Sequence, residues 1–461
     1  MLLHDAETVE QLEPEALIEE ARARGRRRRR FTAAIVALAA GGVALAFGVA
    51  RHGPAPAHAV AQPLPRGVFA NTKAFAGHGR LAFVSRGRLY VLDGATGRVT
   101  AVTASGRTAG APRFSPDGAW LTYTLGARVG LARADGRSAR IVGTGDAGWL
   151  PDGRLLLGSG IYRVGAGGLT RLAAAPTGSV AWSADGSRFA FLSRSITHGR
   201  NGAFRGLERL QVARSLTGAR TTWLSHPISF TRSAGFAGYA INGFVVLPHR
   251  QGLLYWVDPL QSASLAADGQ SVYELRAPGA EPVKLGVTVG QTLSIGPAGR
   301  IALGAGGNRY AWATKTVETC STASARCTPL RAGGKLTLDP AWSPAGTLAF
   351  VEAAAQPAAG AFDQRAIARW YATRSLWLLR PAKQAPMRVA GTQGAATPTW
   401  SIDGKSILYV SGDALWLIPR LGAAPERIAA PLFPQRAWPS DYGRVDWADQ
   451  FAWSVSSGTG A

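Results

Sequence analysis

The sequence predicts an all-β fold, a β-propeller of four-stranded blades preceded by one transmembrane helix. Three observations predict it: a short turn motif recurs along residues 77–455, apolar strands follow its copies, and one uncharged apolar stretch lies near the N-terminus. The 461 residues include 57 glycines and 27 prolines, which indicates many turns. Hydrophobic residues make up 46% of the chain, which is enough for a core. A ring of small units, each with its own core, suits this composition better than one large core.

The recurring motif is a strand, a tight turn and a second strand. An Asp-Gly or Ala-Gly pair occupies the turn, and an aromatic residue precedes it in most copies. An Asp side chain can cap its own turn and glycine tolerates a positive φ, so each copy predicts a hairpin. The copies are 112–118 (PRFSPDG), 148–153 (GWLPDG), 180–186 (VAWSADG), 294–299 (SIGPAG), 340–346 (PAWSPAG) and 398–404 (PTWSIDG).

Further strands follow several of these turns. Polar reverse turns lead to a third and a fourth strand, most clearly at 88–94 and 98–103. Four strands per unit are typical of a propeller blade. The pattern of Trp-Ser-Pro-Asp-Gly followed by an Ile-Ala-Phe-type strand resembles the TolB-like propeller family over about residues 77–455. This resemblance implies a binding role. The tryptophans predicted to pack between adjacent sheets are Trp149, Trp182, Trp342 and Trp400.

The spacing of the copies predicts eight blades, with seven as the alternative. The long gap after Trp182 requires at least one degenerate blade, for which 243–258 and 271–285 offer strands. The first unit, from Leu81, lacks a first strand, and residues 444–455 resemble a first strand without its blade. Pairing of the N- and C-terminal strands would close the ring and leave no free sheet edge.

Residues 31–50 (FTAAIVALAAGGVALAFGVA) are predicted to form a transmembrane helix, because an uncharged helix of this length crosses about 30 Å of hydrocarbon. Five arginines precede it, so the positive-inside rule places residues 1–30 in the cytoplasm. The predicted location is a bacterial cell membrane, single-pass, with an extracytoplasmic propeller. A cleaved signal peptide is the alternative. The predicted segments are cytoplasmic (1–30), transmembrane (31–50), Pro/Ala-rich linker (51–76), propeller (77–455) and tail (456–461).

The formal net charge of +23 lies beyond residue 30, since seven acids and seven bases cancel within residues 1–30. The bases form no compact stripe interleaved with aromatic residues, so nucleic acid is not an expected partner. The expected partners are an envelope protein or polymer, the lipid bilayer through residues 31–50, and a cytoplasmic protein for residues 1–30.

No catalytic, cofactor or metal site is predicted. The seven histidines form no HxH or HxxxH pair, and the aspartates of the repeat lie in turns that explain them. A Gly-x-Ser-x-Gly elbow of a serine hydrolase does not occur. Cys320 and Cys327 flank a predicted hairpin turn and are candidates for a disulfide, which an extracytoplasmic location favours.

Three long connections depart from the minimal blade, at 193–209, 231–243 and 353–374. Loops on one rim of a propeller commonly form its binding face, and Arg and aromatic residues dominate interface hot spots. The candidate partner contacts are Arg205, Arg209, Arg369, Trp370 and Tyr371.

The predicted function is a binding scaffold for a protein, peptide or envelope polymer, without enzymatic activity. One alternative is a transmembrane signalling protein with a cytoplasmic docking segment and a propeller sensor. Another is a propeller enzyme such as a lactonase or a quinone-dependent dehydrogenase, for which the turn at 92–97 (LDGATG) is a single, weak match.

Overall fold

The computed structural model is almost wholly β and describes residues 64–454 apart from 105–107, 177, 249–251, 260–267, 314, 322–325, 331–334, 356–362, 382, 384, 433–444 and 446. These residues belong to one compact unit. None of the helices in the described ranges has the length and apolar character that a bilayer crossing requires. The predicted cytoplasmic segment and transmembrane helix, residues 1–50, lie outside those ranges.

Seven antiparallel sheets contain the described strands and are numbered I to VII in chain order. The first short strand, β1 (Phe69–Ala70), belongs to sheet VII. Sheet I consists of β2 (Arg80–Ser85), β3 (Arg88–Asp93), β4 (Arg98–Ala101) and the C-terminal β33 (Phe451–Ser454). Sheet II consists of β5 (Ala109–Phe114), β6 (Trp120–Leu125), β7 (Arg128–Arg133) and β8 (Arg140–Thr144). Sheet III consists of β9 (Ala147–Trp149), β10 (Leu155–Leu157), β11 (Gly160–Gly165) and β12 (Gly168–Ala174).

The middle of the chain forms two larger sheets. Sheet IV consists of β13 (Ser179–Trp182), β14 (Phe189–His198), β15 (Phe204–Ala213), β16 (Thr221–Thr231) and β17 (Gly235–Ala237). Sheet V consists of β18 (Ala240–Val246), β19 (Leu253–Asp258), β20 (Gln270–Leu275), β21 (Val283–Ile295), β22 (Ile301–Ala305), β23 (Thr316–Ser321) and β24 (Arg326–Pro329). The strands expected in the gap after Trp182 are therefore present as β18 to β21.

The last two sheets follow the four-stranded pattern again. Sheet VI consists of β25 (Leu336–Trp342), β26 (Leu348–Ala353), β27 (Ser375–Leu379) and β28 (Met387–Arg388). Sheet VII consists of β29 (Ala395–Trp400), β30 (Ile407–Ser411), β31 (Ala414–Ile418), β32 (Glu426–Ala430) and β1. Helix α1 (Gln364–Ala372) lies between β26 and β27 in the chain. Short 3₁₀ turns are present at Arg200–Gly202, Pro297–Gly299 and Trp447–Asp449.

Apolar clusters join the facing surfaces of successive sheets. Val84 on β2 and Leu121 on β6, for example, belong to one cluster between sheets I and II. Further clusters join II to III, III to IV, IV to V, V to VI and VI to VII. Within sheet V, Trp256 on β19 and Leu303 on β22 share a cluster. A further cluster joins sheet VII to sheet I, so the packing order returns to its start, as a propeller requires.

The N- and C-terminal strands pair as the sequence predicts. Strand β33 runs antiparallel to β2, with Phe451 opposite Phe83 and Trp453 opposite Leu81. The indole N–H of Trp453 also donates a hydrogen bond of 2.7 Å to the carbonyl of His78. The C-terminal strand therefore supplies the missing strand of sheet I.

The ordered sheets begin earlier than the predicted boundary at residue 77. Phe69 in β1 lies opposite Ala430 in β32, and the side chain of Phe75 is fully buried. Both residues fall within the segment predicted as a linker, 51–76. Its last part takes part in the fold because Phe75 buries its side chain and β1 pairs with the edge strand β32 of sheet VII.

The turns use the predicted chemistry together with a serine contact that the motif alone did not reveal. Gly404 has a φ of +69°, and the Asp403 carboxylate accepts a hydrogen bond of 3.1 Å from the Lys405 N–H. The Ser401 hydroxyl oxygen accepts a bond of 2.9 Å from the Ser406 N–H. The equivalent serines with the same type of contact are Ser115, Ser183 and Ser343.

Replacement of Ser401 by alanine is expected to lower the free energy of unfolding by about 1 kcal/mol, because the Ser406 N–H would lose its acceptor in a buried turn. Ser401 is only 3% exposed, so water cannot readily replace the hydroxyl. Denaturant unfolding measures the effect. The matched control is Ser195→Ala on an exposed strand, which should leave stability unchanged; equal stability of the two variants would contradict the expectation.

The motif tryptophans pack between adjacent sheets, as predicted. The Trp149 indole N–H donates a bond of 3.1 Å to the carbonyl of Arg113 in sheet II, and Trp400 donates one of 3.0 Å to Ala341 in sheet VI. These two tryptophans therefore bond to the equivalent strand of the preceding sheet, whereas the buried indole N–H of Trp342 has no such partner among the described residues. Such contacts combine apolar burial with a satisfied N–H donor.

Candidate functional site

The connection predicted at 193–209 is an extension of sheet IV. Strands β14 and β15 have 10 residues each and β16 has 11, whereas the strands of sheets I to III have at most 7. Residues of β14 and β15 pair without interruption from Phe189 and Ala213 to His198 and Phe204. The missed signal was the alternation of polar and apolar residues on both sides of the turn at 200–202. The outer part of this sheet, residues 193–209 and 225–237, is called the arm below.

One face of the arm is closed by packing. Residues directly opposite one another in paired antiparallel strands point to the same face, which groups Glu208 with Arg194 and His226. Glu208 is fully buried, forms an ion pair with Arg194, and accepts a bond of 2.8 Å from the Ile241 N–H. On the same face, the rings of Phe204 and Phe230 stack with 5.8 Å between their centroids.

The opposite face of the arm is open. Alternation along β15 places Arg205, Leu207 and Arg209 in one row on this face. Arg205 is exposed, Leu207 is 37% exposed, and Arg209 is half-buried. The arm's only carboxylate, Glu208, points to the other face. The row is called the arginine row, and its neighbours on β14 and β16 are Ser193, Ser195, Thr197, Ser225, Pro227 and Ser229.

The other predicted contacts lie on α1, whose Asp363 cap accepts a bond of 2.9 Å from the Ala366 N–H. Arg369 is exposed, but Trp370 is only 1% exposed and Tyr371 5%. The Trp370 indole donates a bond of 3.0 Å to the carbonyl of Ala354. Trp370 is therefore a core residue, because the helix turns its apolar side towards the sheets. The surface members of the predicted set are Arg205 and Arg209 on β15 and Arg369 on α1.

A cavity of about 160 Å³ lies beside Tyr371, between strands of sheets V, VI and VII and the segment before β33. Its polar wall contains two cations, one carboxylate and several hydroxyl groups. Its apolar wall contains aliphatic residues and the aromatic residues Tyr371 and Trp447. The lining residues used below are Val289, Lys315, Leu338, Asp339, Tyr371, Arg374, Thr397 and Trp447.

Arg374 dominates the polar wall of this cavity. Its side chain is 4% exposed, and its Nη2 forms an ion pair with Asp339. The guanidinium carbon lies 4.7 Å from the centroid of the Tyr371 ring. Asp339 also accepts a bond of 3.0 Å from the Thr397 N–H, so the carboxylate connects sheet VI with sheet VII.

Backbone conformation brings Asp339 and Thr397 to the cavity. Each precedes the proline of a repeat copy, and their φ angles are +49° and +48°. The equivalent Ala111 has a φ of +46°. Left-handed conformations cost energy for residues with a Cβ atom, and the register of each strand shifts at these positions. The repeat identifies the equivalent positions before each proline, but the residue types at these positions do not reveal the β-bulge that the register shift represents.

A second buried cation lies on the wall of the cavity. Lys315 is 9% exposed, and its ammonium donates bonds of 2.6, 3.0 and 2.8 Å to the carbonyls of Gly307, Asn308 and Ala313. These bonds use the three donors of the ammonium group, so Lys315 fixes the local backbone and contributes its charge to the cavity.

The predicted disulfide residues face each other. Cys320 on β23 lies opposite Cys327 on β24, their Cα atoms are 4.0 Å apart, and their sulfur atoms are bonded. In the described part of the chain, no group of His, Cys, Asp and Glu residues is arranged to hold a metal ion.

Comparisons with known proteins give only distant structural likenesses. No protein-family model and no curated protein matches the chain. Matching solved structures include one of the eukaryotic initiation factor, with 11% identity, a TM-score of 0.42, and coverage of 77% of this chain and 96% of the other. TolB from Acinetobacter baumannii matches with 12% identity, a TM-score of 0.33, and coverage of 77% and 64%. Dipeptidyl peptidase 4 of Porphyromonas gingivalis matches with 12% identity, a TM-score of 0.34, and coverage of 78% and 52%. At these values none of the likenesses identifies a function.

Proposed function

We propose that this chain is an eight-bladed propeller that acts as an extracytoplasmic binding scaffold, held to the bacterial membrane by residues 31–50. The blade number is supported by sheet V, in which the first part of the long strand β21, Val283 to Thr288, pairs with β20. Its last part, Leu293 to Ile295, pairs with β22, and Thr288 between them lies opposite residues of both strands. Two four-stranded blades that share β21 account for this seven-stranded sheet. With the other six sheets, the total is eight.

The arginine row carries the proposed binding role. Arg205 and Arg209 stand on a rigid, paired strand with the exposed Leu207 between them. Among the described residues of the arm, no carboxylate lies beside the two arginines on this face, since Glu208 is buried on the opposite face. Arginine is enriched in interface hot spots because its planar guanidinium binds carboxylates in a bidentate manner.

The chemistry of the row favours an acidic polypeptide segment of an envelope protein as the partner. A leucine between two cations would bury its side chain against an apolar residue of the partner, and a purely anionic polymer offers no such group. Carboxylates on either side would pair with Arg205 and Arg209. The hydroxyl groups of Ser195 and Thr197 would add hydrogen bonds at the edge of this contact.

The cavity beside Tyr371 supports binding rather than catalysis. Its carboxylate, Asp339, is engaged by Arg374 and by the Thr397 N–H, so it is not poised to take a proton from a substrate. Histidine and cysteine do not occur among the described residues that line it. A nucleophile with an adjacent base, which most hydrolases require, is not assembled there.

Charge reversal of the arginine row, Arg205→Glu with Arg209→Glu, is expected to abolish capture of the envelope partner without loss of stability. Arg205 is exposed and Arg209 is half-buried, so the two substitutions together should change the free energy of unfolding by no more than about 1 kcal/mol. Repulsion of two carboxylates from an acidic segment should weaken binding at least about tenfold. Photo-crosslinking in intact cells, from a probe placed at residue 207, measures the partner bound to each variant.

The matched control is Arg128→Glu with Arg420→Glu, which makes the same charge change at an exposed position of β7 and at one in the connection between β31 and β32. The control should retain the crosslinked protein. Loss of crosslinking in both variants would indicate that partner capture depends only on the net charge of the protein. That result would contradict specific binding by the arginine row. A crosslink to a polymer in place of a protein would contradict the choice of an acidic polypeptide.

A further inference from the structure

We propose that the cavity beside Tyr371 binds a small carboxylate with an apolar body, and that Arg374 is the residue that recognises it. This site is separate from the arginine row, so it goes beyond the scaffold role. The inference rests on three features of the cavity: an incompletely bonded buried guanidinium, a positive charge balance, and an apolar wall of matching size.

The first feature is the hydrogen bonding of Arg374. A guanidinium has five N–H donors, and a buried donor without an acceptor is costly. Within the described residues, Arg374 directs only Nη2 to an acceptor, the Asp339 carboxylate. Its Nε is buried and has no hydrogen-bond partner there. Within the described residues, Nη1 has no acceptor either, and a ligand carboxylate that binds Nη1 would supply one.

The second feature is charge. Lys315 and Arg374 each bring a positive charge to the cavity wall, and Asp339 brings the negative charge among the described lining residues. Among these three groups the balance is one positive charge, and electrostatic attraction in a recessed site is stronger than on an open surface. One monovalent anion would balance these three groups. A phosphate dianion would overcompensate it.

The third feature is the apolar wall. Val289, Leu338 and Trp447 line the cavity together with the Tyr371 ring. The cavity volume of about 160 Å³ is close to that of an engineered cavity of about 150 Å³ that binds benzene. A carboxylate on a ring or branched chain of that size would fill the cavity, and its charged end would bind Arg374.

Benzoate is the probe that tests this proposal on the full-length protein. Isothermal titration should show saturable binding of benzoate with one site per chain. Benzyl alcohol lacks the charge, acetate lacks the apolar body, and phosphate lacks the body and carries the wrong charge. Each should bind at least about tenfold more weakly, because a hydrogen-bonded charge pair or a buried ring contributes about that factor or more. Equal binding of phosphate and benzoate would overturn the apolar requirement.

Two variants connect the binding to this cavity. Arg374→Lys keeps a cation beside Asp339 but loses the planar fork, so benzoate should bind about tenfold more weakly while the fold is retained. Thr292→Trp adds a ring at an exposed position of the cavity rim and should block entry without disturbing Arg374. Wild-type affinity in both variants, or no benzoate binding to the wild type, would overturn the proposal. Arg205→Glu with Arg209→Glu should bind benzoate normally, which separates failure of this site from failure of the arginine row.

Discussion

Truncation of the chain after Gln450 is expected to lower the free energy of unfolding by at least about 3 kcal/mol. The truncation removes β33, whose Phe451 is 7% exposed, and loss of a buried phenylalanine side chain alone costs about 3–5 kcal/mol. It also removes the Trp453 bond to His78 and the pairing along β2. Strand β2 would become a free edge, so aggregation of the truncated chain is a second expected result.

The control for this truncation ends the chain after Ser454 and keeps all of β33. Its midpoint of thermal unfolding should equal that of the full-length protein, whereas the shorter chain should unfold at a clearly lower temperature. Recovery of the midpoint on addition of a synthetic peptide covering residues 447–454 would show that pairing is responsible. Equal midpoints for the two truncated chains would contradict closure through β33.

Much of the fold was predictable because the repeat depends on interactions between residues close in the sequence. Glycines such as Gly404 and Gly118 take the positive φ that their turns require, and Trp149 and Trp400 bond to the preceding sheet. These features depend on residues close in sequence or at a constant spacing, so the motif carries them. The pairing of β33 with β2 was predictable for another reason, since each end of the chain offered part of a blade.

The arm and the cavity were not predictable in the same way. Residues 193–209 looked like an insertion because they are polar and contain glycines, yet Glu208 is buried by bonds to Arg194 and the Ile241 N–H. The cavity depends on Asp339 and Thr397, which lie in different sheets. Long-range polar contacts of this kind leave no periodic trace in the sequence, so only the packed sheets reveal them.

Trp370 is the residue at which sequence and structure give different roles. An aromatic residue beside Arg369 in a long connection suggested a surface contact. The helix instead places Trp370 edge-on to Trp312 at 5.9 Å and to Tyr371 at 5.2 Å. The Arg374 guanidinium lies 5.4 Å from its ring. Trp370 therefore supports the core between sheets VII and I and the wall of the cavity behind it.

Replacement of Trp370 by alanine is expected to lower the free energy of unfolding by about 3–5 kcal/mol, because it leaves a large cavity in the core and removes the hydrogen bond to the Ala354 carbonyl. Benzoate affinity should fall as well, since Tyr371 and Arg374 would lose the ring that positions them. Arg369→Ala, one residue earlier on the exposed side of α1, should change stability by less than about 0.5 kcal/mol. Denaturant unfolding compares the two variants. If Trp370→Ala lost partner binding yet unfolded like Arg369→Ala, the tryptophan would be a surface contact, and its assignment to the core would be wrong.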